Sequence, residues 1–267
     1  MVLQSRNSPV LHAIDFTSRQ RDEFLVLDVV SLSVAPGDIY CLLGSAGAGK
    51  TAVLHAFLGF LAATSGRALV AGEDAARLPL AARRHITYIP RGSPSYGALT
   101  TRQNLEFHVR LDGHAAALKR NDSYQALRLM GIRERDFEVP MRHLPRAVHL
   151  LAWLAVGWLK GSPAILIDEP TDGLDLQTSV QLQAALTHLQ SRGTAMLIAT
   201  SDVLLASHVA TKIGIMREGR NTRELTRQEF VGRPLHDIYL EWMGGLGRGV
   251  ARPFDGQSHV DRAGHVP

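Results

Sequence analysis

Cysteine is almost missing from this chain. Cys41 is the only one in 267 residues, so no disulfide framework is possible and a reducing compartment is expected. Long apolar runs are missing too. The most apolar, Ala147 to Leu159, has 13 residues and includes His149, whereas a membrane span needs roughly 20. The first residues, MVLQSRNSPVLHAIDF, contain no signal-peptide hydrophobic region, and there is no internal repeat. Neither charge sign dominates. A net charge of +4 leaves room for a basic face toward anionic lipid or nucleic acid, but charge of this size is ordinarily solvated surface. Any work at a membrane is therefore expected to go through a partner. Apolar content of 45% and charged content of 20% are those of a globular chain with one good core.

What is present is concentrated in one stretch. Ile39 to Leu43 is apolar or aromatic throughout and reads as a short strand buried on both faces. Gly44-Ser45-Ala46-Gly47-Ala48-Gly49-Lys50-Thr51 follows at once and fits the phosphate-loop pattern G-x-x-x-x-G-K-[ST]. Glycines let the backbone curl so that the N–H groups from Ser45 to Thr51 face one concavity, at the start of a helix expected from Thr51 to about Leu61. Lys50 would reach the β- and γ-phosphates, and the Thr51 hydroxyl would ligate Mg²⁺. The alternative, a glycine-rich turn with a chance Lys-Thr, leaves the buried strand before it and the apolar helix after it as coincidence.

Along the rest of the chain, residues 10–37 alternate as two or three antiparallel strands, ending in the Pro36-Gly37 turn. Strands are expected over 67–72 and 86–89, the second stopped by Pro90. Residues from about Thr100 to Leu144 read as helical and form, with a buried helix over 147–160, an inserted helical subdomain of about 92–160. The helix near Ser179–Arg192 has one core face at Leu182, Ala185, Leu186 and Leu189. Strands follow over 195–199 and about 212–216, then one or two short helices over 222–243. A nucleotide-binding domain over 1–243 and a flexible tail over 244–267 complete the expected organisation.

A second strong signal is Ala164-Ile-Leu-Ile-Asp168-Glu169-Pro170-Thr171-Asp172-Gly173-Leu174-Asp175. It puts an acid pair at the carboxyl end of a core strand, where open α/β sheets bind ligands. Asp168 would hold the Mg²⁺ shell and Glu169 would polarise an attacking water. For a single Asp, an acidic helix cap would be the better reading; a pair in the same chain as a phosphate loop favours chemistry.

GSAGAGKT, a helical insertion, ILIDEPTDGLD and a later strand ending in Thr-Ser-Asp together resemble the ATP-binding subunit of an ATP-binding cassette (ABC) transporter, over roughly residues 10–243. The GLD sequence and the late segment Leu235–Met243 are similar to the ABC-2 type serving exporters. The resemblance implies an α/β fold: a P-loop NTPase core with a parallel sheet, an N-terminal antiparallel β subdomain and the inserted helical subdomain. It also implies ATP and Mg²⁺, with Asp175 contributing at the nucleotide, and a separate membrane-spanning permease. In such a family two cassettes meet head to tail, each nucleotide lying between one phosphate loop and the other chain's LSGGQ signature.

Four family positions differ here. The signature falls on Leu144-Pro145-Arg146-Ala147-Val148, where Pro145 has no N–H to give and Arg146 replaces a small residue. The glutamine after the Tyr-Ile-Pro strand is Arg91. The switch histidine is Ser201, too short to reach a γ-phosphate. The adenine-stacking aromatic falls on or near Arg21, which could stack as a cation, with Phe24 a nearby substitute. These departures are read as nucleotide binding with slow or partner-dependent hydrolysis, and hence as a heterodimer with a more complete cassette. Family drift around a working site, and no binding at all, are the alternatives on either side. The expected location is cytoplasmic, peripheral at the inner face of the cell membrane, with membrane contact only through the permease and no nucleic acid partner. A non-hydrolysing regulatory subunit is the second reading. A translation or repair ABC protein is the third, although it would usually carry two cassettes or a long coiled coil.

Overall fold

The structure is a computed structural model and describes residues 8–19, 25–111 and 120–245. A four-stranded antiparallel sheet is built, in spatial order, from β2 (Leu25–Val34), β1 (Leu11–Arg19), β4 (Ser65–Val70) and β5 (Glu73–Asp74). A six-stranded sheet runs β10 (Arg220–Thr226), β9 (Lys212–Arg217), β3 (Ile39–Leu43), β8 (Ala195–Thr200), β7 (Ala164–Asp168) and β6 (Ile86–Ile89). Its last five strands are parallel and β10 is antiparallel.

The parallel strands are apolar without alternation because both their faces are covered. From β3, Ile39, Cys41 and Leu43 enter one core, with Met196 and Ile198 of β8 and Ile165 and Ile167 of β7. Tyr40 and Leu42 enter the other, with Leu166, Leu197 and the antiparallel sheet's Leu11, Phe16 and Leu27. Helices α3 (Thr101–Leu111), α4 (Arg120–Leu129) and α5 (Arg146–Lys160) lie between β6 and β7 in the chain and cover the first core through Leu105, Leu127, Leu151 and Ala155. Helix α1 (Lys50–Phe57) supplies Val53, Leu54 and Phe57 to the second.

Several boundaries differ from the sequence reading. Helix α1 stops at Phe57 rather than near Leu61, because the chain turns at Leu58–Gly59, with Phe60 N–H donating to the His55 carbonyl at 2.9 Å. A short helix α2 (Pro79–Arg84), opened by proline at its first turn, precedes β6. Helix α6 (Leu176–Ser191) starts earlier than Ser179, since the Asp175 carboxylate caps it by accepting from Thr178 N–H at 2.8 Å. Its expected core face is the buried one: Leu182, Ala185, Leu186 and Leu189.

Residues 222–226, expected as helix, lie in β10. Glu218 (φ 49°) and Gly219 (φ 77°) are both left-handed, the backbone of a two-residue hairpin that sends the chain back along β9. After β10 come α7's neighbours α8 (Arg227–Phe230) and α9 (Leu235–Gly245), α7 itself being Val203–Val209. Gly244 and Gly245 close α9, and the rest of the expected tail lies outside the described residues. No helix among the described residues is long and apolar enough to cross a membrane.

Candidate functional site

Register brings the site together. Leu43 of β3 is level with Thr200 of β8, and Asp168 of β7 with Ala199. The phosphate loop, the acid pair and Ser201 therefore leave the sheet at one end. Gly44 opens the loop where no side chain fits: a β-carbon there would stand 2.6 Å from the Met216 carbonyl oxygen and 2.9 Å from Ala48 Cβ. Ser45, Ala46 and Gly47 are exposed at the loop tip. Ala48 is buried and its N–H returns to the Ser45 carbonyl at 3.2 Å. Gly49 precedes α1 with φ 100°, a backbone that favours glycine.

Lys50 is the first residue of α1 and is 5% exposed. Its ammonium donates to the carbonyls of Gly44 at 2.7 Å and Ser45 at 3.0 Å and pairs with Glu169 Oε1 at 3.2 Å. Thr51 Oγ1 donates to Asp168, lying 3.1 and 3.0 Å from its two oxygens. Burial pushes the Asp168 carboxyl above its usual range and the charge of Glu169 adds to this, against the opposing effects of the Thr51 hydroxyl, His55 and Arg91. Hydroxyl plus carboxylate is an all-oxygen donor pair with a charge deficit. That suits Mg²⁺, which is commonly held by one or two carboxylates and the substrate's phosphates. Among the described residues no cluster of three or more His, Cys, Asp or Glu could form an all-protein metal cage.

Glu169 follows β7 with φ 44°, a strained conformation for a residue with a side chain, costing on the order of 1–3 kcal/mol. Its N–H stays on the sheet, donating to Ala199 O at 2.8 Å. The side chain is held from two sides: Oε1 by Lys50, and Oε2 by Ser201 N–H at 2.9 Å and Ser201 Oγ at 3.2 Å.

The remaining candidates divide. Arg91 reaches the acid-pair loop: its Nε and Nη2 approach Asp172 Oδ2 at 2.6 and 2.5 Å, and this pairing raises its pKa. Asp175 is exposed and used as the α6 cap, and that hydrogen bond lowers its pKa. Arg21 and Phe24 lie outside the described residues. The Leu144–Val148 segment forms the start of α5, with Pro145 as its N-cap, free of any side-chain cap, and Arg146 half-buried so that a methyl on Gly173 would stand 3.6 Å from Arg146 Nη1. Asp172 was missed by the sequence reading, although an acid three residues beyond Glu169 was a usable signal. Nearby in β6, burial, then the charge of Asp168, pushes the Tyr88 hydroxyl up to about 12.

Phosphate loop, lysine and acid pair at the carboxyl end of a parallel sheet define a P-loop nucleotide-binding domain. The chain belongs to the ABC transporter family, whose profile matches residues 27–172. It is 26% identical over 222 residues to the Fe(3+) ions import ATP-binding protein FbpC of Rhizobium etli, covering 83% of this chain and 62% of that one. It is 29% identical over 214 residues to the probable multidrug ABC transporter ATP-binding protein YbhF of Escherichia coli K12, covering 79% of this chain and 36% of that one. Among solved structures, an ATP-binding subunit of an ABC transporter superposes with a TM-score of 0.73 at 25% identity, covering 88% of this chain and 99% of that one. The chain thus spans less than two thirds of the length of these two curated relatives.

Proposed function

We propose that this chain is the ATP-binding subunit of an ABC transporter, of the ABC-2 exporter type, which couples ATP binding and slow or partner-dependent hydrolysis to a separate membrane permease. The observation that carries the reading is the buried Lys50–Glu169 pair beside the Thr51–Asp168 pair, in a chain of this family. The working unit is residues 1–243, with the helical subdomain of about 92–160, at the cytoplasmic face of the membrane.

The loop amides from Ser45 to Thr51 and the Lys50 ammonium bind and orient the phosphates. Thr51 and Asp168 would hold Mg²⁺, which when bound neutralises charge on the β- and γ-phosphate oxygens. As Lys50 turns to the phosphates it leaves Glu169 Oε1 free to accept the proton of an attacking water. Ser201 keeps Oε2, so the base stays aimed while it works. Ser201 spends its hydroxyl on Glu169 and offers no cation to the terminal phosphate.

The partner preferred is a different cassette with an intact signature. Pro145 at the head of α5 withholds one amide, and losing one preorganised donor costs roughly 10²–10³-fold in rate. A self-paired chain would carry that defect at both sites. Steady-state ATPase activity of the purified chain is the test: low activity alone is expected, with Ser201→His raising turnover only when a partner with an intact signature is added. Turnover of about 1 s⁻¹ or more by the isolated wild type, a rate ordinary for enzymes, would refute partner dependence.

A further inference from the structure

Helices α7 and α8 and the start of α9 enclose a groove of about 480 Å³, within the size range of small-molecule sites, roughly 300–1,000 Å³. The nucleotide chemistry does not use it. Phe230 and Leu235 line it and are buried, at 5% and 3% exposure, while Leu204 and Val231 line it and stay 71% and 62% exposed. Apolar residues scattered singly over a surface are ordinary, but these share one concavity. The left-handed turn at Gly232 (φ 92°) separates Val231 from Arg233, and both face the same groove.

Two arginines line the groove, and none of the described residues lining it is acidic. Arg227 donates to the carbonyls of Ser207, His208 and Ala210 at 3.1, 3.3 and 2.9 Å, all from Nη1. Those bonds fix the guanidinium at the end of α7 and leave Nε and Nη2 for another acceptor. Arg233 gives Nη2 to Glu241, in a pair whose side chains are 52% and 64% exposed, so the pair is screened and easily exchanged. The complement of this groove is an alkyl chain that ends in an anion whose two oxygens suit a guanidinium fork.

We propose that the α7–α9 groove is a binding site for a free medium-chain carboxylate, its chain along Leu204, Val231 and Phe230 and its head group between Arg227 and Arg233. The site is independent of the nucleotide reading, although Leu204 stands only three residues beyond Ser201, which holds Glu169.

The test is calorimetric titration of the full chain with decanoate, octanoate and decylammonium, on wild type, Leu204→Glu and Arg233→Met. Decanoate should bind about tenfold tighter than octanoate, the scale of two buried methylenes, and decylammonium should not bind. Leu204 is the second residue of α7, where a carboxylate favours the helix, so Leu204→Glu should keep the fold and abolish decanoate binding. Arg233→Met alters an exposed side chain and should weaken decanoate about fivefold. No binding of decanoate up to about 1 mM, equal binding of decylammonium, or unchanged affinity in both variants would overturn the proposal. A dimer abolished by Leu204→Glu, or binding to anionic phospholipid vesicles without binding of decanoate, would give the groove another occupant and overturn it as well.

Discussion

The Lys50–Glu169 pair gives a sharp energetic test of the nucleotide-free state. Replacing Lys50 with methionine keeps the aliphatic stem but strips Glu169 Oε1 of its cation in a largely buried site. Breaking a buried pair in this way typically costs 3–5 kcal/mol. Here the two donors from Ser201 remain on Oε2, which lowers the expected loss to about 2–3 kcal/mol. Glu169→Gln leaves Lys50 its two carbonyl acceptors, Gly44 and Ser45, and should cost about 1 kcal/mol. The double variant carries neither charge. It should be less destabilised than the two single losses added together, with a coupling of about 1–3 kcal/mol. Urea unfolding of the four proteins in metal- and nucleotide-free buffer measures this, provided the slopes agree. Additivity within about 0.5 kcal/mol would mean the pair does not form, and that phosphates need not displace Lys50 from the base.

Two further expectations concern the same end of the sheet. Burial and the Glu169 charge raise the Asp168 carboxyl, so the folded chain holds that proton more tightly than the unfolded one. Ionising it therefore costs stability as pH rises from about 3.9 through the folded value, and the full cost is present above both. Asp168→Asn, which can still accept from Thr51, should be more stable than wild type at pH 7 in metal-free buffer, by about 0.5–2 kcal/mol. The gap should close toward pH 4; thermal melts across pH 4–8 check it, and a gap constant with pH would contradict the cause. Gly44→Ala forces a methyl to within 2.6 Å of the Met216 carbonyl and 2.9 Å of Ala48. It should destabilise the fold by about 1–3 kcal/mol and weaken nucleotide binding; unchanged melting and binding would show that the loop yields freely.

Much of this was legible in the sequence because one physical cause acted at a time. Ile39–Leu43 and Ala164–Ile167 are unbroken apolar runs, as a short strand covered on both faces requires. The phosphate loop is written as consecutive residues, so reading it needed no tertiary knowledge. The losses were of two other kinds. Strand β10, RNTRELT, buries only Leu225 well; it is an edge strand fixed by the Glu218–Gly219 turn rather than by its own pattern. The pairing of Arg91 with Asp172 joins residues 81 apart in the chain, and nothing local announces it. Asp175, assigned to nucleotide by resemblance, also caps α6, a local contact that the sequence reading did not anticipate.

Cys41 has a consequence of its own. It is fully buried in β3, between β8 and β9, and burial, with the charge of Asp202 second, pushes its thiol up to about 12. A thiol so protonated and so enclosed cannot meet an alkylating reagent until the central strand comes away from its neighbours. As the chain's sole cysteine, it labels without background. The molecule thus carries its own clock for rare openings of the sheet, and the slowing of that clock on adding nucleotide would measure how firmly the loop at one end of β3 grips the middle.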